Sequence, residues 1–189
     1  GEPRANYDRV REAIRRMSEV MGISARSITV STVGIVPGIR RLTDEPWPVS
    51  LAVSLHAADD ELRSTIVPIN RRYPLSDLEE AAAGYFEKKR RRLSIEWTMM
   101  DGVNDTTDQA TKLAAIARRL HAHVNLIALN PTPLTEETAS SERAIDAFAR
   151  ELGRRGVNVT VRNTRGRNID AACGQLRLLA GKPGLKPRV

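Results

Sequence analysis

Short apolar runs rich in β-branched residues alternate with longer amphipathic stretches along almost the whole chain. The apolar runs have the length and composition of buried strands, and they occupy residues 27–32, 49–56, 93–100, 123–130 and 157–163. The amphipathic stretches have helical periodicity, and they occupy residues 6–22, 74–92, 106–122 and 140–156. Because strands that alternate with helices are joined by right-handed crossovers, this pattern predicts an α/β fold built on one parallel sheet.

Individual residues mark where some of these helices begin and end. Ser76 and Ser140 stand where an N-terminal cap is expected, each at the start of a helical pattern. Gly22 and Gly156 stand just after the last periodic residue of two other stretches. Glycine is the preferred residue at that position, since it adopts the left-handed conformation without strain. These four residues therefore predict two helix starts and two helix stops.

The composition is that of one basic globular domain. Hydrophobic residues make up 41% of 189 positions, which suffices for one sizeable core. The glycines and prolines of residues 181–189 predict a flexible basic tail, distinct from a domain of residues 1–180. No apolar stretch approaches the roughly 18 residues of a membrane span, and the first residues lack a signal-peptide pattern. We expect a cytoplasmic protein without a membrane partner, in keeping with its single cysteine.

Positive charge exceeds negative charge, since 30 Lys and Arg residues stand against 23 Asp and Glu residues. Two basic clusters lie at residues 88–92 and 162–167. Such clusters favour a polyanionic partner, because neutralised phosphates release their counterions. Arginine-rich solvated helix faces have the same composition, and few aromatic residues are available here for base stacking. Charge alone leaves nucleic-acid binding and simple solvation both open.

Polar residues stand at the carboxyl ends of the predicted strands. Ser31 ends the first strand, Ser54 and His56 end the second, residues 101–104 follow the third, and Asn130 ends the fourth. Each is an ordinary turn residue when taken singly. In a parallel sheet, however, the carboxyl ends share one edge, and ligands bind there. Together these residues predict a site for a zwitterionic or ribose-bearing ligand.

The remaining chemistry-bearing residues do not form a known motif. Three histidines and one cysteine lack the spacing of metal ligands, and no glycine-rich phosphate loop is present, so no metal site is predicted in this chain. The cysteine, Cys173, lies between Ala172 and Gly174. Taken alone, it is most simply a buried and inert thiol.

Long blocks of the sequence resemble one family, the radical S-adenosylmethionine (SAM) methyltransferases that modify carbon 2 of adenine in ribosomal and transfer RNA. The resemblance implies a partial TIM-type barrel of the radical SAM class, of which this chain would be the C-terminal part. It covers nearly the whole chain and is carried, in order, by GEP at the start, GISARSITVSTVGIVPGIRRL from residue 22, SLHAADDELRSTIVPINRRYPL from residue 54, DGVND from residue 101, NLIALNP from residue 125 and IDAACGQL from residue 169.

The resemblance assigns a cofactor to the predicted edge. Glu2 would accept hydrogen bonds from the ammonium group of SAM, and Gly1 would allow the backbone to approach closely. The other SAM-binding positions that the resemblance implies are Ser31, Ser54, Leu55, His56 and Asn130. Most of these are the polar residues that the strand pattern selects independently of the family.

The resemblance also implies parts that this chain does not contain. In the family, a C-x3-C-x2-C loop holds a 4Fe-4S cluster, and an RNA-binding extension and a second reactive cysteine also precede the GEP block. We therefore expect the chain to be a barrel truncated at its N-terminal side, with the cluster ligands and the partner of a transient disulfide upstream. An electron donor for the cluster would serve the full-length enzyme, and we expect a monomer.

Within the family, the position that matches Cys173 is a methyl carrier. One SAM methylates the thiolate, a second SAM yields a 5′-deoxyadenosyl radical, and that radical takes a hydrogen from the S-methyl group, which then adds to the base. Carbon 2 of adenine has no lone pair, so polar methylation does not reach it. Arg162, Arg165 and Arg167 lead into this segment and are predicted to contact the phosphates of ribosomal and transfer RNA.

Three other functions stay open from the sequence. A close relative in the same family methylates carbon 8 of adenine and confers antibiotic resistance on ribosomes. A radical SAM enzyme with a small-molecule substrate is a second alternative. A basic α/β domain that binds RNA without catalysis is the third, although such a module has no need of the residues that match the SAM site.

Overall fold

The five strands of the sheet lie side by side in the order in which they occur in the chain. A computed structural model describes residues 2–130 and 137–162. All neighbouring strands are parallel, which confirms the predicted α/β class. The strands are β1 (Thr29–Thr32), β2 (Ser50–Ser54), β3 (Leu93–Met99), β4 (His123–Ala128) and β5 (Val159–Arg162). The predicted boundary at residue 180 and the tail at residues 181–189 lie outside the described residues.

Six α-helices accompany the sheet within the described residues, and two of them are not apparent in the sequence pattern. One contains Pro37 and Gly38, and the other is only seven residues long, so neither shows sustained helical periodicity. No helix in the described part of the chain is long and apolar enough to cross a membrane. The helices are α1 (Tyr7–Arg15), α2 (Val36–Asp44), α3 (Asp60–Ile66), α4 (Leu75–Lys89), α5 (Thr107–Arg119) and α6 (Glu142–Arg154).

Only some of the predicted helix boundaries are correct. Gly22 and Gly156 follow helical segments with positive φ angles of 70° and 77°, which confirms both stops. The cap predicted at Ser76 is wrong, because α4 begins after Pro74 and has no side-chain cap. The cap predicted at Ser140 is off by one residue, since the Ser141 hydroxyl accepts the hydrogen bond from the Ala144 amide.

The two faces of the sheet differ in chemistry. One face carries apolar side chains such as Leu51, Ile95 and Leu126, which are fully buried in one core cluster with residues of the helices. The other face carries the alternate residues of each strand, and these are mostly polar. The strand register places Ser54, Glu96, Asn125 and Thr160 in one row across β2 to β5 of this polar face. The core therefore lies between the apolar face of the sheet and the helices, and the other face carries the polar side chains.

Candidate functional site

The predicted cofactor residues of the strands lie at or near one edge of the sheet. Because β1 to β5 are parallel, their carboxyl ends share this edge. Ser54 is the last residue of β2, His56 lies two residues beyond it, Asn130 lies two residues beyond β4, and Ser31 is one residue short of the end of β1. Gly1 and Cys173 lie outside the described residues.

Glu2 joins this edge from the N-terminal segment. Its Oε2 atom accepts a hydrogen bond from the backbone amide of Val33 at 2.7 Å. Val33 directly follows β1, so the bond holds the carboxylate beside the end of that strand. The structure thus brings Glu2 to the same edge as the strand residues, although it is distant from most of them in sequence.

His56 is held in one orientation and one protonation state. Its backbone is left-handed, with φ of 61°, and its Nδ1 atom accepts a hydrogen bond from the Thr98 amide at 3.0 Å. Burial lowers the pKa of the ring to about 4, and the positive charge of Arg63 contributes to the same shift. The ring is therefore neutral at pH 7, and its proton sits on Nε2 because Nδ1 is an acceptor. His56 offers this edge a single N–H donor.

Asn104 fixes the backbone around His56. It is completely buried, and its Nδ2 atom donates to the carbonyl oxygens of His56 at 2.8 Å and Thr98 at 2.7 Å. Its Oδ1 atom accepts from the Met100 amide at 2.8 Å. This one side chain ties the segment after β2 to the end of β3. Sequence patterns mark the DGVND block as a polar turn but do not distinguish this role from an ordinary turn residue.

Leu55 differs from its polar neighbours. Its side chain is 2% exposed and belongs to the core. Its amide donates to the carbonyl of Glu96 at 3.1 Å, and its carbonyl accepts from the side chain of Arg63 at 3.1 Å. What Leu55 contributes is the path of the backbone between Ser54 and His56. The buried Arg63 is not identified by sequence patterns.

A cavity of about 380 Å³ lies on the polar face of the sheet. Glu96 is its one lining carboxylate among the described residues, and its Oε1 atom accepts from Asn125 Nδ2 at 2.7 Å. The Oε2 atom of Glu96 is buried without a hydrogen-bond partner among those residues, and Arg162 Nη1 lies 3.8 Å from it. The lining consists of Thr29, Ser31, Ser50, Ala52, Arg92, Ser94, Glu96, Asn125 and Arg162.

The predicted RNA-contacting residues are only partly described. Arg162 ends β5 with a side chain that is 61% exposed, whereas Arg165 and Arg167 lie outside the described residues. The other basic cluster, residues 88–92, precedes β3 and therefore lies at the amino edge, opposite the candidate site. There Lys88 pairs with Asp44, and Arg91 donates to the Arg26 carbonyl.

Relatives of known name match almost the entire chain. A probable dual-specificity RNA methyltransferase RlmN from Acidothermus cellulolyticus is 54% identical in an alignment over 183 residues, and this alignment covers 93% of this chain and 43% of that relative. The chain belongs to the RlmN family of dual-specificity RNA methyltransferases. It spans about half the length of the curated relatives it matches. No family model matches the chain.

Solved structures support the same family and fold. A radical SAM methyltransferase from Sphaerobacter thermophilus superimposes with a TM-score of 0.89 at 48% identity, covering 93% of this chain and 52% of that one. A domain of the pyruvate-formate lyase-activating enzyme from Bacteroides vulgatus superimposes with a TM-score of 0.66 at 16% identity, covering 86% of this chain and 95% of that one. The second likeness concerns the fold alone. The predicted family and fold class are confirmed.

The residues of this chain do not suit an iron–sulfur cluster. A 4Fe-4S cluster is held by several cysteine thiolates, and this chain has one cysteine. Among residues 2–130 and 137–162, no group of His, Cys, Asp and Glu could hold a metal ion. Any cluster would need ligands from outside this sequence. A single cysteine also forms no disulfide within the chain.

Proposed function

We propose that this chain is the part of a radical SAM methyltransferase that binds SAM at the carboxyl edge of the sheet and carries the methyl group on Cys173. The proposed substrates are ribosomal and transfer RNA, and the proposed target is carbon 2 of adenine. The observation that supports this most is the meeting of two independent features. Residues that match the SAM-binding positions of the family also lie at the edge where parallel sheets bind ligands.

The side chains at this edge suit the functional groups of SAM. The Glu2 carboxylate suits an ammonium group, and a charge-assisted bond of this kind is stronger than a neutral one. The Nε2–H of neutral His56 and the Ser54 hydroxyl suit the carboxylate or ribose oxygens. Asn130 offers both a donor and an acceptor to the adenine ring. Gly1 and Ser31 complete the set by matching the family.

Cys173 is the proposed methyl acceptor. The thiol first loses its proton, and the thiolate sulfur then attacks the methyl carbon of SAM. A carbon–sulfur bond forms, the sulfonium–methyl bond breaks, and S-adenosylhomocysteine leaves. The later transfer to adenine requires radical chemistry, which a second SAM and an iron–sulfur cluster supply in this family. Because this chain holds no cluster ligands, we assign no step of that transfer to its residues and propose that the longer enzyme is the catalyst.

The product nucleoside tests the proposal and separates it from its alternatives. The full-length enzyme, reconstituted with its cluster, is incubated with ribosomal RNA, with transfer RNA and with SAM labelled in the methyl group. We expect labelled 2-methyladenosine after digestion of the RNA. Label in 8-methyladenosine instead would identify the resistance-type activity. RNA binding without any label in the nucleosides would favour the non-catalytic alternative and contradict the proposal.

A further inference from the structure

Arg63 is the most deeply buried cation in the described part of the chain, and its hydrogen bonds converge on the candidate site. The residue lies in α3 and is completely buried. Its Nη2 atom donates to the carbonyl of Val33 at 2.6 Å and to the carbonyl of Ser54 at 3.4 Å, and its Nε atom donates to the carbonyl of Leu55 at 3.1 Å. One guanidinium thus joins the ends of β1 and β2.

The charge of Arg63 is stabilised by a carboxylate that it does not contact directly, since the nearby Asp60 favours the protonated guanidinium. No carboxylate oxygen among the described residues makes an ion pair with it. Its Nη1 atom donates to Asn70 Oδ1 at 2.7 Å, and Asn70 Nδ2 donates in turn to Asp60 Oδ1 at 2.8 Å. Burial lowers the pKa of Arg63 to about 10, so the group stays charged at pH 7. An apolar residue of similar size would avoid the desolvation penalty of a buried cation, so packing alone does not account for an arginine here.

The backbone at Gly34 passes close to the guanidinium. Gly34 has φ of 110°, and a Cβ atom at this position would lie 3.2 Å from Arg63 Nη2 and 3.2 Å from Leu78 Cδ2. The segment that follows β1 therefore passes directly against the guanidinium. Val33 precedes Gly34. Its carbonyl accepts a hydrogen bond from Arg63, and its amide donates one to Glu2.

We infer that Arg63 is a positioning residue of the SAM site. It connects the two segments that carry the proposed ligands, with Glu2 bound to Val33 on one side and Ser54 and His56 on the other. The planar fork of its five donors fixes the distance between the strand ends, which a point charge cannot do. This inference rests on the proposed function, since it assigns the role of Arg63 through that site.

Arg63→Lys tests the inference against a matched control at the opposite end of β2. Tyr85 is also fully buried, and its hydroxyl donates to the carbonyl of Val49 at 2.5 Å, just before β2 begins. Tyr85→Phe removes a buried hydrogen bond without touching the carboxyl edge. A binding site weakens substantially when the residues that position its ligand-binding groups are replaced. We therefore expect Arg63→Lys to weaken SAM binding about tenfold or more, and Tyr85→Phe to leave SAM binding unchanged. Equilibrium dialysis with labelled SAM on the full-length enzyme measures both.

Amide hydrogen exchange supplies a second readout that needs no cofactor. Arg63→Lys should speed exchange at Val33 and Leu55, whose amides bond to Glu2 and Glu96, and leave that of Leu51 near the amino edge unchanged. If Arg63→Lys does not fold, Asn70→Ala takes its place in this experiment. That variant keeps the arginine and removes one of its hydrogen-bond partners, so the same amides should exchange faster, but by a smaller factor.

Three results would count against the role of Arg63 or against the proposed SAM site. If Arg63→Lys bound SAM within about twofold of the wild type, the inference would be overturned. It would also be overturned if Tyr85→Phe weakened SAM binding equally. If the wild-type enzyme did not bind SAM at all, the proposed function would fail and the inference with it, while the exchange comparison would still report the effect of Arg63 on the strand ends.

Discussion

At the scale of single residues, His56 shows how the fold sets the chemistry of a side chain. The unfolded ring binds a proton below a pH of about 6.5, whereas burial lowers the pKa of the folded ring to about 4. Between these values the unfolded chain binds more protons than the folded chain. Stability contributed by the neutral ring is therefore fully present above a pH of about 6.5, and it is lost as the pH falls toward 4.

His56→Asn tests this account. Asparagine keeps an acceptor for the Thr98 amide, tolerates the positive φ and does not titrate. Between pH 7 and pH 5, the wild type should lose on the order of 2 kcal/mol of unfolding free energy through His56, and the variant should lack this loss. Urea unfolding at the two pH values measures the difference. His121 also has a positive φ, of 49°, so His121→Asn is the matched control for placing asparagine at a left-handed histidine position. Equal slopes for wild type and His56→Asn would contradict the account.

The residues of the candidate site are predictable from the sequence to different degrees. Ser54, His56 and Asn130 are correctly selected as edge residues, because strand ends can be located from the apolar pattern. Asn104 is selected as part of residues 101–104, but its role in tying two backbone segments together is not predicted. Arg63 is not selected, because it lies in the short helix α3 and its hydrogen bonds to distant carbonyls leave no signal in the sequence. Leu55 is selected by its match to the family, but that match does not reveal that the Leu55 side chain lies in the core.

At the scale of elements, strands are easier to predict than helix boundaries. Each strand falls within a short apolar run, and β1 to β4 do so because at least one of their faces packs against the core. The expectation of a buried strand is wrong for β5, since three of its four residues are exposed at the end of the sheet. The short helix α3 depends on tertiary contacts instead: its N-cap Asp59 also accepts hydrogen bonds from Gln109 Nε2 at 2.6 Å and Lys112 Nζ at 3.0 Å. Seven residues are too few for a periodic pattern, so the N-cap aspartate is a weak local signal without these distant partners.

The cap of α6 gives a direct test at this scale. Ser141→Ala removes the hydroxyl that accepts from the Ala144 amide, so the free energy of unfolding should fall by about 1 kcal/mol. Ser76→Ala is the control, because Ser76 is exposed and α4 has no side-chain cap, so its effect should stay within about 0.5 kcal/mol. Chemical denaturation of both variants measures the difference. A larger loss at Ser76 than at Ser141 would show that the cap assignment is wrong.

At the scale of the whole molecule, the two edges of the sheet differ in the groups that they carry. The carboxyl edge carries the proposed SAM site, while the basic cluster at residues 88–92 lies at the amino edge and forms local ion pairs and hydrogen bonds. Arg92, the last residue of that cluster, lines the same cavity on the polar face of the sheet as Arg162. The proposed RNA surface is therefore the side of the sheet that includes the end of β5.

The salt dependence of RNA binding tests this division. Replacing Arg162, Arg165 and Arg167 by glutamine should weaken binding broadly and flatten the dependence of log K on log salt by about 0.7 to 0.9 for each phosphate that the variant no longer neutralises. Lys88→Gln, at the opposite edge, should leave the slope unchanged. Titrations of the full-length enzyme with RNA at several salt concentrations provide the slopes. An unchanged slope in the arginine variant would exclude this surface.

Cys173 is the proposed carrier of the methyl group. Mass spectrometry of the full-length enzyme, isolated after incubation with SAM labelled in its methyl group, tests this proposal most directly. We predict one labelled methyl group on the peptide that contains Cys173, and no label on that peptide in Cys173→Ala. The variant should still bind SAM and RNA, and its unfolding free energy should fall by about 1 kcal/mol or less, since the change is a small truncation. It should form no methyladenosine. An unmodified Cys173 in the wild type, together with normal methylation of RNA by the alanine variant, would contradict the account.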